Sequence, residues 1–325
     1  MITATSLSAD ADPRRPRAGS RRMARIAALG ALVLSTLLAA CGGGGAGGVA
    51  NGSGGHIAVV AAENFWGSVV AQLGGDDVSV TSVVTDPNAD PHDYQTSAST
   101  ARAFATAGYV VVNGAGYDGW ADSLLDANPT GNRTVLHVDD LLGQRHAENP
   151  HFWYTPAYVE RVADRITNDL ASIDPAHAAA YTTRRTSFEA ALAPYHAAIT
   201  AIRSRFSGAK VASTESIFEG MAAALGLDLI SPPELMKAVA EGNDPPADAL
   251  ARFQQQLESR AATVLVYNEQ TSTDVTTNLR KLADDHGIAV VGITETIQPA
   301  NASFQAWMTA ELTAIQTALR TASGR

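Results

Sequence analysis

Residues 57–84 read IAVVAAENFWGSVVAQLGGDDVSVTSVV, in which two β-rich runs flank a helical segment. The β-rich runs are Ile57–Ala62 and Val78–Val84, and the helical segment is Trp66–Leu73. Strands that alternate with helices in this way form βαβ units, whose strands are parallel. This stretch therefore predicts an α/β fold built on a parallel sheet.

The same alternation occurs in two parts of the chain and predicts two Rossmann-like α/β lobes, residues 56–155 and 207–325. In the N-terminal lobe we also expect strands at Tyr109–Val112 and Thr134–Val138, and helices at Ala98–Ala107 and Trp120–Leu125. In the C-terminal lobe we expect strands at Lys210–Thr214, Thr263–Tyr267 and Ala289–Thr294, and a last helix from Ser303 to about Leu319.

Residues 156–206 show helical periodicity without a strand signal and are expected to connect the lobes. The periodicity is broken at Asp174 and Pro175, where Asp174 can cap a second helix. That helix, Pro175–Phe206, would be about 48 Å long at about 1.5 Å per residue if Pro194 only kinks it. The sequence thus predicts one long connecting helix.

The N-terminus has the layout of a secretory lipoprotein signal. Six arginines precede an apolar stretch of fifteen residues, Ile26–Ala40, which is shorter than the roughly twenty residues that cross a bilayer as a helix. The chain's only cysteine, Cys41, follows directly, and nine glycines lie among residues 41–55. We expect residues 1–40 to be cleaved and Cys41 to be lipidated. Residues 41–55 would then tether the protein to the outer face of the cytoplasmic membrane, at the cell surface or in the periplasm.

The charge of the mature chain argues against one class of partner. Residues 1–40 contain six arginines and two aspartates, so the remaining chain has 17 basic and 31 acidic side chains and a net charge of −14 with histidine neutral. Such an acidic protein is not expected to bind nucleic acid. We expect the mature protein to be a monomer.

Four potential metal ligands lie just beyond short strand-like runs: His92, His151, Glu215 and Glu295. Both histidines follow a proline, which restricts the backbone and can hold an imidazole in place. In open α/β sheets the ligand crevice lies beyond the carboxyl ends of the strands, where these side chains can converge. Two imidazoles and two carboxylates complete a coordination shell for one divalent cation and cancel its charge. The residues therefore favour metal capture over catalysis.

Other residues are weaker candidates. Five polar residues at strand ends either orient the ligands or are solvated loop ends: Glu63, Asn64, Asn268, Glu269 and Gln270. A second group is expected on solvated faces: His177, His196, Asp284, Asp285 and His286. Three tryptophans are expected in the core: Trp66, Trp153 and Trp307.

Several short motifs resemble one protein family along nearly all of the mature chain. They are Asp90-Pro91-His92, Asn149-Pro150-His151-Phe152-Trp153, Thr214-Glu215-Ser216-Ile217-Phe218 followed by Gly226-Leu227, and Thr294-Glu295-Thr296 with Trp307 downstream. In this order they resemble the metal-binding lipoproteins of zinc and manganese ABC importers, the zinc/manganese cluster of periplasmic binding proteins. The resemblance implies two lobes joined by one long helix, with the metal in the cleft between them. Each lobe would supply two ligands, His92 and His151 from the first and Glu215 and Glu295 from the second.

The resemblance leaves the identity of the metal open. Zinc-specific members commonly have a third histidine where this chain has Glu215, and often a His-rich loop where this chain has only His137 and His146. Carboxylates suit harder ions such as Mn²⁺, but the intrinsic affinity order favours Zn²⁺ over Mn²⁺. We therefore expect Zn²⁺ first, Mn²⁺ next and iron third, as cargo delivered to an ABC permease.

Two other functions compete with metal transport. A metallohydrolase also uses His and Glu ligands, but it needs an open position for water, and the sequence lacks the His-Glu-x-x-His and Gly-x-Ser-x-Gly motifs. A surface adhesin is compatible with a tethered protein, although no segment marks an adhesive face. We expect a binding protein and not an enzyme.

Overall fold

Two parallel four-stranded sheets are present in a computed structural model that describes residues 56–87 and 94–324. The first sheet contains β1 (Ile57–Glu63), β2 (Val78–Val84), β3 (Tyr109–Val112) and β4 (Thr134–His137) in the order β2-β1-β3-β4. The second contains β5 (Lys210–Ser213), β6 (Asp228–Leu229), β7 (Val264–Asn268) and β8 (Ala289–Ile293) in the order β6-β5-β7-β8. The two sheets thus repeat one topology, with the strand order changing direction between β1 and β3 and between β5 and β7.

Helices alternate with the strands and also form the segment of the chain that connects the two sheets. In the first lobe they are α1 (Asn64–Gly74), α2 (Ala98–Thr106), α3 (Gly119–Ala127) and α4 (Val138–Leu142). The connector contains α5 (Pro156–Ile173), α6 (Ala178–Ala191) and α7 (Ala193–Phe206). The second lobe contains α8 (Glu219–Leu225), α9 (Pro233–Ala240), α10 (Ala247–Glu258), α11 (Asp274–Asp285) and α12 (Phe304–Ser323). The predicted two-lobe α/β fold is confirmed.

The connector differs in detail from a single long helix. Pro175–His177 forms a 3₁₀ turn, and the following helix is interrupted for one residue at Leu192, between α6 and α7. The interruption lies two residues before Pro194, which has no N–H to donate to the carbonyl one turn earlier. Leu192 keeps right-handed helical angles, φ −75° and ψ −10°, so the chain continues as helix beyond it.

Both sheets pack against one continuous hydrophobic core. It includes Val59 and Val111 of the first sheet, and Val211 and Val266 of the second. The three tryptophans expected in the core are buried there, at 0%, 0% and 2% exposure: Trp66, Trp153 and Trp307. Because the strand ends of both lobes are fixed by this shared core, polar groups that follow those strands can be held close together.

Some predictions fall outside the described residues. The residues concerned lie outside the described ranges: they are the signal segment, Cys41, the glycine-rich tether and His92. The predicted domain boundaries stay predictions. The two-residue strand β6, which pairs with β5 at the edge of the sheet, was not expected from the sequence. Among the described residues, no helix combines the length and apolar character needed to span a bilayer.

Candidate metal centre

Three of the four predicted ligands come together in the interior of the protein. His151, Glu215 and Glu295 each offer a ligand atom, and these atoms all lie within 4.8 Å of one another. The side chains of all three are 0% exposed. Burial of two neighbouring carboxylates is costly unless their charge is compensated, so the cluster has a strong requirement for a cation or proton.

Each ligand candidate lies beyond a secondary-structure element that fixes its backbone. Glu215 is the second residue after β5, and Glu295 is the second residue after β8. His151 follows α4 and directly precedes the 3₁₀ turn Phe152–Tyr154. One lobe therefore contributes the imidazole and the other contributes both carboxylates.

The spacing of the ligand atoms suits one metal ion. His151 Nε2 lies 3.2 Å from Glu215 Oε1 and 3.7 Å from Glu295 Oε2. In a tetrahedral shell with metal–ligand distances of about 2.0–2.2 Å, neighbouring ligand atoms are about 3.3–3.6 Å apart. Both distances from the imidazole are therefore close to those of a coordination shell, and the three side chains are placed to bind one divalent ion.

Asn149 orients the imidazole and links the two lobes. Its Oδ1 lies 2.8 Å from His151 Nδ1 and 3.0 Å from the His151 backbone nitrogen, whereas its Nδ2 donates to Ser216 O (2.7 Å) and Glu219 Oε2 (2.8 Å). Because both Nδ2 partners are acceptors, the amide orientation is determined by this network. Oδ1 then accepts the proton of Nδ1, which leaves the lone pair of Nε2 directed at the carboxylates.

Neutral donors hold the two carboxylates in position. Asn268 Nδ2 donates a short hydrogen bond to Glu215 Oε2 and a second, 2.8 Å long, to Glu295 Oε1. Thr271 Oγ1 donates to Glu215 Oε2 (2.9 Å), and the Tyr117 hydroxyl donates to Glu295 Oε2 (2.6 Å). Burial and the nearby Glu295 raise the pKa of Tyr117 well above its ordinary value, so the phenol remains a donor. These donors stabilise the ionised carboxylates that a metal requires.

The backbone around Glu295 is fixed by side-chain amides. Gln270 Oε1 accepts from the backbone N–H of Glu295 (2.8 Å) and of Thr296 (2.9 Å). Asn64 Oδ1, from the first lobe, accepts from the backbone N–H of Ile297 (3.1 Å). The loop after β8 is thus positioned by both lobes.

A family model described as the periplasmic component A of the zinc-uptake complex matches residues 59–318. The matched range includes all but the first two residues of the two sheets, and all four predicted ligands. The chain belongs to this family. The family consists of substrate-binding proteins of metal importers and not of enzymes, so the metallohydrolase and adhesin alternatives are not favoured.

Relatives of this zinc-uptake family member include metal-binding proteins. The manganese-binding lipoprotein MntA of Halalkalibacterium halodurans is 26% identical over 155 residues, which cover 46% of this chain and 50% of that protein. The chain spans about half the length of the curated relatives that it matches. The structure of the periplasmic zinc binding protein TroA from Treponema pallidum is similar with a TM-score of 0.70 at 16% identity, covering 82% of this chain and 99% of that one. The SBP FpvC from Pseudomonas aeruginosa, in complex with Mn²⁺, has a TM-score of 0.67 at 17% identity, with coverage of 82% and 99%.

Three further carboxyl groups near the candidate metal centre have raised pKa values. Glu63 ends β1 and faces Asp118; burial first, and then Asp118, raise the pKa of Glu63 well above its ordinary value. Burial also raises the pKa of Asp118 to about 6, although two backbone N–H groups bind its carboxylate. Glu311 accepts from the Tyr154 hydroxyl (2.7 Å), and burial raises its pKa to about 7. These groups retain protons more readily than ordinary carboxyls do.

The weaker candidates from the sequence have different outcomes. Asn268 donates to Glu295, and Gln270 accepts from its backbone N–H, whereas Asn64 accepts from the backbone of Ile297, two residues further on. Of the two alternatives, the structure therefore favours an orienting position over a solvated loop end for these three residues. Glu269 is exposed and lies against Gly292, so it is a solvated loop residue.

Several contributors were not singled out from the sequence. They are the donors Tyr117 and Thr271, together with the orienting role of Asn149. Tyr117 and Thr271 lie in the loops after β3 and β7, so the strand-end rule that identified the ligands could have included them.

Proposed function

We propose that the chain captures one divalent transition metal outside the cytoplasmic membrane and passes it to an ABC permease. The observation that carries this proposal is the buried convergence of His151 from one lobe with Glu215 and Glu295 from the other. An ion bound there joins the lobes, and it can leave when they separate. Membership in a metal-uptake family supports the same conclusion.

The proposed metal site has four protein ligands, with His92 as the fourth. This residue lies outside the described part of the chain, and its role rests on the Pro-His motif and on the family resemblance. Two imidazoles and two carboxylates leave little room for an activated water, whereas a catalytic zinc site keeps one position open. The donor set therefore fits a carrier better than a hydrolase.

We propose Zn²⁺ as the cargo, with Mn²⁺ as the second candidate. The relatives include proteins described as binding either metal. Imidazole ligands and the general affinity order favour Zn²⁺, whereas the two carboxylates make Mn²⁺ acceptable.

Native mass spectrometry tests the proposal directly. The chelated protein is exposed to Zn²⁺ and Mn²⁺ at equal concentration, as wild type and as the His151→Ala, His92→Ala and His146→Ala variants. We expect one tightly bound zinc in the wild type and its loss in the first two variants. His146 is exposed and lies in the loop before His151, so His146→Ala is the matched control and should retain the metal.

The outcomes separate the possible conclusions. One manganese retained against zinc would keep the transport function and change its cargo. A wild-type chain without any tightly bound metal, or a tight metal that persists in both ligand variants, would contradict the proposed site.

We also propose that the protein is a lipid-anchored monomer in its extracytoplasmic location. A cysteine after an apolar segment, followed by a glycine-rich tether, supports attachment through Cys41. Metabolic labelling with an alkynyl fatty acid should mark the wild type and not Cys41→Ala, and the variant should leave the membrane fraction. Equal labelling of both chains would contradict the anchor.

A further inference from the structure

A second cluster of metal-ligating side chains lies on the connector and shares no residue with the centre described above. It consists of Glu160 on α5, Glu189 on α6 and His196 on α7. One potential ligand atom from each residue lies within 4.8 Å of the other two. Three different helices therefore direct metal-binding groups towards a single point.

The distances in this cluster are close to those of a coordination shell. His196 Nε2 lies 3.4 Å from Glu160 Oε1 and 3.9 Å from Glu189 Oε1. Ligand atoms around a tetrahedral zinc ion are about 3.3–3.6 Å apart. The distance from His196 to Glu160 is within this range, and the distance to Glu189 exceeds it by a few tenths of an ångström.

The imidazole nitrogen at the centre of the cluster has an unusual environment. His196 Nε2 is hidden from solvent and has no hydrogen-bond partner among the described residues. In one tautomer of the neutral imidazole, Nε2 has no proton and presents a lone pair. Three atoms with lone pairs, one nitrogen and two carboxylate oxygens, then face one another. A divalent cation would accept electron density from all three and remove their mutual repulsion.

The remaining contacts leave the cluster open to an ion from solution. Glu189 uses its other oxygen, Oε2, to bind Arg185 Nη1 at 2.9 Å, so that Oε1 is directed at the cluster. The side chains of Glu160, Glu189 and His196 are 41%, 49% and 34% exposed. Water can therefore complete the coordination shell of a bound ion.

We propose that Glu160, Glu189 and His196 form a second, weaker site for a divalent transition metal such as Zn²⁺. Its affinity is lower than that of the cleft because it has only three protein ligands and is partly exposed. Water weakens the electrostatic attraction between its carboxylates and the ion. A bound ion would join α5, α6 and α7 and stiffen the segment that connects the two lobes.

Calorimetric titration of the chelated full-length protein with Zn²⁺, in detergent, tests this site. The wild type should bind one tight and one weaker equivalent. His196→Ala should weaken the second equivalent by about tenfold or more, since replacing even an outer partner of a metal ligand has a cost of this size. Glu160→Gln should act in the same direction, whereas His151→Ala should remove the tight equivalent and leave the weaker one.

His177→Ala is the matched control for this experiment. His177 is a half-exposed histidine of the same connector and contacts two carboxylates, Asp174 and Asp77, but it belongs to no cluster of three ligands among the described residues. This variant should keep both equivalents. A wild-type chain that binds a single zinc would overturn the second site, as would a weaker equivalent that persists unchanged in both His196→Ala and Glu160→Gln. In the latter case His196 is simply an ion-pair partner of its glutamates.

Discussion

Asn149→Ala tests whether Asn149 must orient the His151 imidazole for the candidate metal centre to bind tightly. The substitution leaves every proposed ligand in the chain, but it removes the acceptor for His151 Nδ1 and the two hydrogen bonds to Ser216 and Glu219 across the cleft. The imidazole can then rotate, and its Nε2 lone pair is no longer held against the carboxylates. We therefore expect weaker metal binding without the loss of any ligand.

The size of the effect follows from the contacts that are removed. Loss of a partner that orients a metal ligand lowers affinity by about 10- to 100-fold, which is about 1.4–2.7 kcal/mol. The two cross-cleft hydrogen bonds contribute about 0.5–1.5 kcal/mol each, so the free energy of unfolding of the metal-free protein should fall by roughly 1–3 kcal/mol.

Competition with a zinc chelator measures the affinity, and urea unfolding of the metal-free protein measures the stability. Asn149→Asp separates the two effects, because its carboxylate still accepts from His151 Nδ1 but cannot donate to Ser216 or Glu219. This variant should lose stability while it retains more affinity than Asn149→Ala. Asn132, which is exposed, provides the control substitution. If Asn149→Ala binds zinc as tightly as the wild type, while His151→Ala does not, the imidazole needs no such support and the reasoning is refuted.

Four further predictions concern charge and packing. Burial raises the pKa of Glu311 from 4.5 to about 7, so the folded protein binds this proton more tightly than the unfolded chain does. Protonated Glu311 therefore contributes fully to the free energy of unfolding below about pH 4.5, and about 3 kcal/mol of this contribution is lost as the pH rises to about 7. Urea unfolding of the metal-free protein should show this loss in the wild type and not in Glu311→Gln. Asn268→Ala removes donors from both ligand carboxylates and should lower the melting temperature of the metal-free protein more than that of the zinc-bound protein, in which the cation replaces those donors. Gly67→Ala places a methyl group against Ser82 Oγ and should cost about 1–3 kcal/mol in chemical unfolding, whereas Gly119→Ala, in open space, should cost little. Zinc affinity measured by competition should fall as the pH drops through about 6, because the imidazole ligands must be neutral, and a flat profile between about pH 5 and 8 would argue against them.

The sequence predicts the fold and the convergence of the described candidate ligands for one physical reason. Buried parallel strands appear as short runs of β-branched residues, and a polar residue just beyond such a run must lie at the edge of the sheet. Glu215 and Glu295 both satisfy this rule by following β5 and β8 at the second residue. His151 needed the additional signal of its Pro-His turn, because it is separated from β4 by a helix and a loop.

The partners of the ligands could not be predicted in the same way. Tyr117 and Asn149 contact residues that are far away in the sequence, and the direction of these side chains depends on how the two lobes pack together. The interruption at Leu192 is a similar case: Pro194 marks the place, but whether the helix kinks or stops is decided by the packing around it.

Because the two sheets share one topology, residues of the first lobe can be matched by register to residues of the second, which the sequence alone does not show. Val59 of β1 pairs with the first residue of β3, and Val211 of β5 pairs with the first residue of β7. Counted four residues further along the chain from Val59 and Val211, Glu63 at the end of β1 corresponds to Glu215, which follows β5. By the same register Asn113, after β3, corresponds to Asn268 at the end of β7.

These equivalent residues have different roles because their surroundings differ. Asn268 donates to Glu215 and Glu295, which stabilises two anions at the cleft. Asn113 instead donates to the carbonyl of Pro150 at 2.8 Å, so it supports the turn that carries His151 and does not stabilise an anion. Glu63 faces a second carboxyl group, Asp118, and burial together with that group raises its pKa well above its ordinary value, whereas Glu215 accepts from Asn268 and Thr271. Burial is complete for both glutamates, so it is the supply of hydrogen-bond donors that distinguishes a potential metal ligand from a buried acid at the same position of the fold.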